Sequence, residues 1–164
     1  MRISGAVIFG FILLFFAGET TANILIGPNK NPLAPAVTIV LAEFGLFNPL
    51  ETGKELFVVS RKVPLKENQS FGWVIILGTK KPIIRWREEM TLPAAPVTWG
   101  SVEPQDGRII SDDRRTSIIE REVMPYQGLI SHSWMVAPGD PKGHYIIRII
   151  VENRLEEVFG FDVE

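Results

Sequence analysis

Two histidines, three adjacent carboxylate pairs and four tryptophans are the residues whose chemistry could reach beyond packing. His132 and His144, with Asp140 between them, supply the ligand types of a two-histidine metal site. Neither a His-x-His spacing nor a carboxylate at a fixed offset accompanies them, so no metal and no cofactor is expected, and chelator should leave folding unchanged. Both histidines are expected at exposed strand positions. Ser131-His132-Ser133 resembles hydrolase chemistry only in composition. Neighbouring residues of a strand point to opposite faces, which keeps His132 from activating either serine. No Gly-x-Ser-x-Gly turn occurs.

Glycosidases work with two carboxylates, and the chain has the pairs Glu88-Glu89, Asp112-Asp113 and Glu156-Glu157. Each pair diverges if it lies on a strand, and each has a basic companion in Arg87, Arg114 or Arg154. Solvated charge and surface ion pairs are therefore the expected role of all three. Asp106-Gly107 reads as a turn and lacks the alternating acidic ligands of a calcium loop. Among the tryptophans, Trp73, Trp86 and Trp134 fall in apolar runs and are expected in the core. Trp99 falls in a proline-rich stretch and is a candidate partner contact.

The elements that must position these residues are strands. Eight runs rich in β-branched and aromatic residues cover Val37–Phe47, Glu55–Val63, Ser70–Leu77, Ile83–Thr91, Thr116–Met124, Leu129–Val136, His144–Glu152 and Glu157–Val163. Asn48-Pro49, Thr52-Gly53, Gly78, Lys81-Pro82, Pro125, Pro138-Gly139-Asp140-Pro141 and Glu152-Asn153-Arg154 punctuate them. With 14 glycines and 12 prolines in 164 residues, no long stretch keeps helical spacing. An all-β antiparallel sandwich of about seven to eight strands follows. The two-residue period sends Tyr145, Ile147, Ile149 and Val151 inward. In the Ile83–Thr91 run, Ile84, Trp86, Glu88 and Met90 share one face. Arg85, Arg87 and Glu89 share the solvent face, and Arg85 and Arg87 join Trp99 as candidate partner contacts. Leu92–Arg115 is the longest loop, either functional or simply mobile.

Composition narrows the classes further. A formal charge of −2 argues against nucleic acid as a partner. Arg2 and the apolar run Ala6–Ala17 have the proportions of a signal peptide, and Thr20-Thr21-Ala22 supplies small residues for cleavage. The expected organisation is a signal peptide over 1–22, an extended arm over 23–36 and a sandwich domain over 37–164. A spanning helix needs about 20 apolar residues, so no stable membrane insertion is expected after cleavage. The chain has no cysteine, and its length permits a core that needs no disulfide.

Glu43-Phe44-Gly45-Leu46-Phe47, Val63-Pro64-Leu65, Phe71-Gly72, Gly78 with Pro82, Trp134, Pro138-Gly139-Asp140-Pro141-Lys142-Gly143-His144-Tyr145 and Phe159-Gly160-Phe161-Asp162-Val163 form a recurring pattern. It resembles a bacterial family of short exported domains known only as a domain of unknown function. The closing portion is similar to the last hairpin of immunoglobulin-like envelope domains. The resemblance implies an immunoglobulin-like sandwich without an assigned reaction. In such a hairpin Trp134 and Tyr145 would be largely buried anchors.

These readings converge on a non-catalytic binding or scaffolding module of the bacterial envelope, periplasmic or secreted, whose partner is another envelope protein. The alternatives are a hydrolase acting on an envelope polymer and a small-ligand or carbohydrate binder using Trp99. Mass spectrometry of the envelope fraction should find a chain that begins at Asn23. Recovery of intact Met1–Glu164 from membranes would establish an anchor instead.

Overall fold

Alternation between apolar and polar residues gives each strand one face to bury, and two sheets placed face to face bury them all. The computed structural model describes residues 36–51, 53–99 and 107–164. The expected signal peptide and nearly all of the arm lie outside the described residues. The strands are β1 (Thr38–Pro49), β2 (Glu55–Val59), β3 (Lys62–Val63), β4 (Ser70–Gly78), β5 (Ile84–Thr91), β6 (Ile109–Ile110), β7 (Thr116–Val123), β8 (Leu129–Met135), β9 (Gly143–Val151) and β10 (Leu155–Val163). One sheet has the order β2-β1-β4-β8 and the other β3-β10-β9-β5-β7-β6. All pairs are antiparallel except β3 with β10. No helix occurs among the described residues.

All eight apolar runs are strands, and the count reaches ten for two reasons. The Glu55–Val63 run divides at Ser60, whose hydroxyl accepts from the Lys62 amide at 3.1 Å and donates to the Lys62 carbonyl at 2.8 Å. That local turn sends β2 to the four-stranded sheet and β3 to the other. The second addition is β6, a two-residue strand against β7 inside the Leu92–Arg115 loop.

The core forms between the two inner faces. Phe44, Phe71, Trp73 and Ile75 come from the four-stranded sheet, and Ile84, Trp86, Ile147, Ile149, Phe159 and Phe161 from the six-stranded one, all of them buried. Phe44 stacks on Phe161 with ring centroids 4.2 Å apart. Tyr145 is buried too, and its hydroxyl donates to the Pro141 carbonyl at 2.7 Å, tying the start of β9 to the chain just before it as a tyrosine corner does.

The expected closing hairpin is corrected by the topology. β8 pairs with β4, whereas β9 pairs with β10 and β5, so the Pro138–Gly143 segment crosses between sheets instead of turning within one. Gly139 takes a φ of 84°, and the Ala137 amide donates to the Asp140 carboxylate at 2.8 Å, which holds the crossover. The true hairpin joins β9 to β10. Its turn has Glu152 and Asn153 both at a φ of 55°, the conformation that suits twisted antiparallel strands.

Placing β8 at the end of its sheet has a consequence for Trp134. Its side chain faces inward but emerges at the open edge of the sandwich, so it is half-buried, not sealed as expected.

Gly45 and Gly72 are register partners in the middle of the four-stranded sheet. A Cβ on Gly45 would lie 2.1 Å from the Val58 carbonyl oxygen, and one on Gly72 would lie 2.1 Å from that of His132. Neither obstacle is a side chain that can swing away. Gly45→Ala and Gly72→Ala should each cost more than about 2 kcal/mol in urea unfolding. Gly160→Ala, whose Cβ would meet only the exposed His144 ring, should cost less than about 1 kcal/mol.

Candidate functional site

Glu88 lies in the middle of β5 with its side chain turned inward and no exposure to solvent. Within its own sheet it is flanked by Ile119 of β7 and Ile149 of β9, and along its strand by Trp86 and Met90. None of these donates to its carboxylate. Every donor comes from the facing sheet. Trp73 Nε1 on β4 donates to Oε2 at 2.5 Å, His132 Nδ1 on β8 lies 3.0 Å from the same oxygen, and Trp134 Nε1 on β8 donates to Oε1 at 2.7 Å. Trp73 and His132 are register partners, which places both donors to Oε2 side by side.

Burial pushes the Glu88 carboxyl upward. The charge of His132 and hydrogen bonds from His132, Trp73 and Trp134 outweigh that effect and hold it below the ordinary carboxylate range. The rings around the pair are packed closely. Trp86 lies 5.3 Å from both Trp73 and His132 between centroids, perpendicular to the first and tilted on the second. His132 keeps 25% of its side chain exposed, so this pair sits one layer below the surface.

Glu88 and His132 therefore correct two expectations. Glu88 is not solvated charge, because alternation within β5 sends it to the core while Glu89 stays outside. His132 is not an exposed strand residue, because its partner is a buried acid. His144 does sit on the surface, paired with Asp162 at 2.8 Å, and the two histidines do not come together. Among the described residues no three His, Asp or Glu side chains gather as a metal site.

Trp134 connects this buried pair to a cleft. Trp99 meets it edge to face at 6.2 Å, and the Arg108 guanidinium carbon lies 4.9 Å from its ring centroid. The described parts of the Leu92–Arg115 loop are pinned there. Trp99 Nε1 donates to the Arg114 carbonyl at 2.8 Å, Arg108 donates to the Trp99 carbonyl at 2.8 Å, and the Leu92 amide donates to the Arg115 carbonyl at 2.9 Å. Beneath lies a cavity of about 460 Å³, walled by Phe71, Met90, Trp99, Trp134 and Tyr145 and edged by Asp140. Trp99, singled out in the sequence, is thus half-buried in the cleft wall.

The other candidate contacts lie elsewhere. Arg85 and Arg87 occupy the outer face of the six-stranded sheet in ion pairs, across to β7 for Arg85 with Glu122 at 2.6 Å and Arg87 with Glu120 at 2.9 Å, and within β5 for Arg87 with Glu89 at 2.8 Å. The sequence reading missed Glu88, although its place among Ile84, Trp86 and Met90 was the available signal. A carboxylate on an apolar face must find donors across the core.

A family model described as the PM0630 beta sandwich domain matches residues 42–164. Among solved structures, an immunoglobulin-like protein (PA1606) from Pseudomonas aeruginosa is 20% identical, with a TM-score of 0.54 over 79% of this chain and 97% of that one. The PmoD soluble domain from Methylocystis sp. ATCC 49242 (Rockwell) is 15% identical, with a TM-score of 0.36 over 77% of this chain and 96% of that one. No curated protein matches. The first likeness bears on the fold, which is an immunoglobulin-like sandwich.

Glu88→Gln removes the charge from a site built for it and should cost about 3 kcal/mol at neutral pH, as removing one partner of a buried pair does. Because the folded carboxyl titrates below its unfolded value, the stabilisation is complete above the ordinary glutamate pKa of about 4.3 and is lost as pH falls through the folded value. Urea unfolding at stepped pH should show the gap between wild type and Glu88→Gln narrowing in acid. A constant gap would contradict the assignment.

Proposed function

Because the chain belongs to the PM0630 beta sandwich domain family, we propose that it works as a non-catalytic binding module of the bacterial envelope, exported through its N-terminal segment. The observation that carries this reading is the cleft at the β8 edge, where the hydrogen bond from Trp99 Nε1 to the Arg114 carbonyl holds Trp99 against Trp134 over a cavity of about 460 Å³. Recognition sites have this form: a concave surface of aromatic and aliphatic side chains interspersed with polar groups on a rigid frame. The Ala6–Ala17 run and the small residues before Asn23 support export.

The chemistry of the buried pair weighs against the hydrolase alternative. Glu88 already accepts from two indoles and faces His132, with no described nucleophile between them. Ser131 and Ser133 alternate with His132 along β8, so neither side chain points at the Glu88 carboxylate as His132 does. A partner or ligand meeting Trp99 would instead bury apolar surface without any bond being made or broken.

Affinity capture from native envelope, followed by mass spectrometry, tests the reading with three proteins: wild type, Trp99→Ala, and a double variant with Arg85→Ser and Arg87→Ser. A stoichiometric partner retained by wild type and by the double variant, and lost with Trp99→Ala, is the expected outcome. Turnover of an envelope polymer by the purified wild-type chain would overturn it.

A further inference from the structure

The cleft has a charge pattern as well as an aromatic one. Asp140 and Glu55 bring two carboxylates to its lining, and Arg108 brings one guanidinium. Asp140 is half-buried on the Val136-to-Gly143 crossover, and the hydrogen bond it accepts, from the Ala137 amide at 2.8 Å, engages only Oδ2. Burial pushes its carboxyl upward, against that single bond. A desolvated carboxylate with an unused oxygen gains from a donor that carries positive charge. The aromatic wall accepts such a charge already, since the chain's own Arg108 guanidinium sits over the Trp134 ring.

We infer that this cleft binds an amphipathic organic cation, with the apolar body against Trp99, Trp134 and Phe71 and an ammonium group facing Asp140. The inference rests on the binding-module reading and names its ligand class. A cavity of about 460 Å³ accommodates an aromatic or branched ammonium of roughly nine to fifteen heavy atoms. An anionic analogue would meet two carboxylates against the single Arg108 guanidinium in the lining, and a neutral one would leave Asp140 without its charge partner. The preference among ligands of one shape is therefore cation, then neutral, then anion.

Three probes of nearly one shape test this: phenethylammonium, phenethyl alcohol and phenylacetate, each titrated calorimetrically into the full chain. Phenethylammonium should bind at least about tenfold more tightly than the alcohol, a difference equivalent to one decade in Kd, and phenylacetate most weakly of the three. Asp140→Asn keeps an oxygen for the Ala137 amide and should abolish the advantage of the cation over the alcohol. Glu55→Gln, on the neighbouring rim, should reduce that advantage by a smaller factor and serves as a second variant should Asp140→Asn fold poorly. Equal or tighter binding of the alcohol or the acid by wild type would overturn the cation preference and leave the binding-module reading standing. Failure of all three to bind at millimolar concentration would overturn the inference too, and partner capture with Trp99→Ala would then decide the wider reading separately.

Discussion

One carboxylate links the two halves of this sandwich. Glu88 is supplied by one sheet and its three hydrogen-bonding partners by the other, so the side chain is satisfied only when β5 lies opposite β4 and β8 in a single register. Apolar packing alone tolerates small slides of one sheet over the other, because dispersion contacts are individually weak and non-directional. A buried carboxylate does not. Displacement by one inward position along β4 would put Phe71 or Ile75, neither of which can donate, in the place of Trp73 and leave a desolvated charge, a cost of several kcal/mol. Trp73 and Trp86 pack against the His132 ring beside the pair, and the carboxylate itself has no exposure to solvent.

That constraint reaches the surface through Trp134. Its indole nitrogen is committed to Glu88, and its ring carries Arg108 and meets Trp99. A side chain at the open edge of a sandwich would ordinarily be free to change rotamer. Here the buried acid fixes one end of the ring, so the cleft inherits its shape from the core. Binding at a preformed surface avoids the ordering cost that a loose aromatic would incur.

Much of the fold was legible in the amino-acid sequence because strands announce themselves locally. Tyr145, Ile147, Ile149 and Val151 alternate with His144, Ile146, Arg148 and Ile150, and the inner set is buried as the period requires. What the pattern does not contain is the pairing between distant strands. Pro138-Gly139-Asp140-Pro141 looks the same whether it closes a hairpin or crosses to the facing sheet, and the sheet to which β8 belongs decides whether Trp134 is sealed or half open. The same gap hid the site. Glu88 was visible on an apolar face, but Trp73, His132 and Trp134 are its partners only because β4 and β8 pair with each other and face β5. Trp99 was legible as a loop aromatic, since prolines around it exclude a central strand; that it is half-buried against Trp134 was not.

The central claim is that Glu88 holds the indole hydrogens of Trp73 and Trp134 inside the folded sandwich. Hydrogen exchange of the tryptophan indole N–H groups, followed by nuclear magnetic resonance on the full chain, reads those bonds directly. The Trp73 and Trp134 protons should exchange only at the rate set by global unfolding, matching the slowest backbone amides of β4 and β5, and should accelerate together in Glu88→Gln. Exchange of either indole proton far ahead of those amides in wild type, or at a rate unchanged by the substitution, would contradict the account.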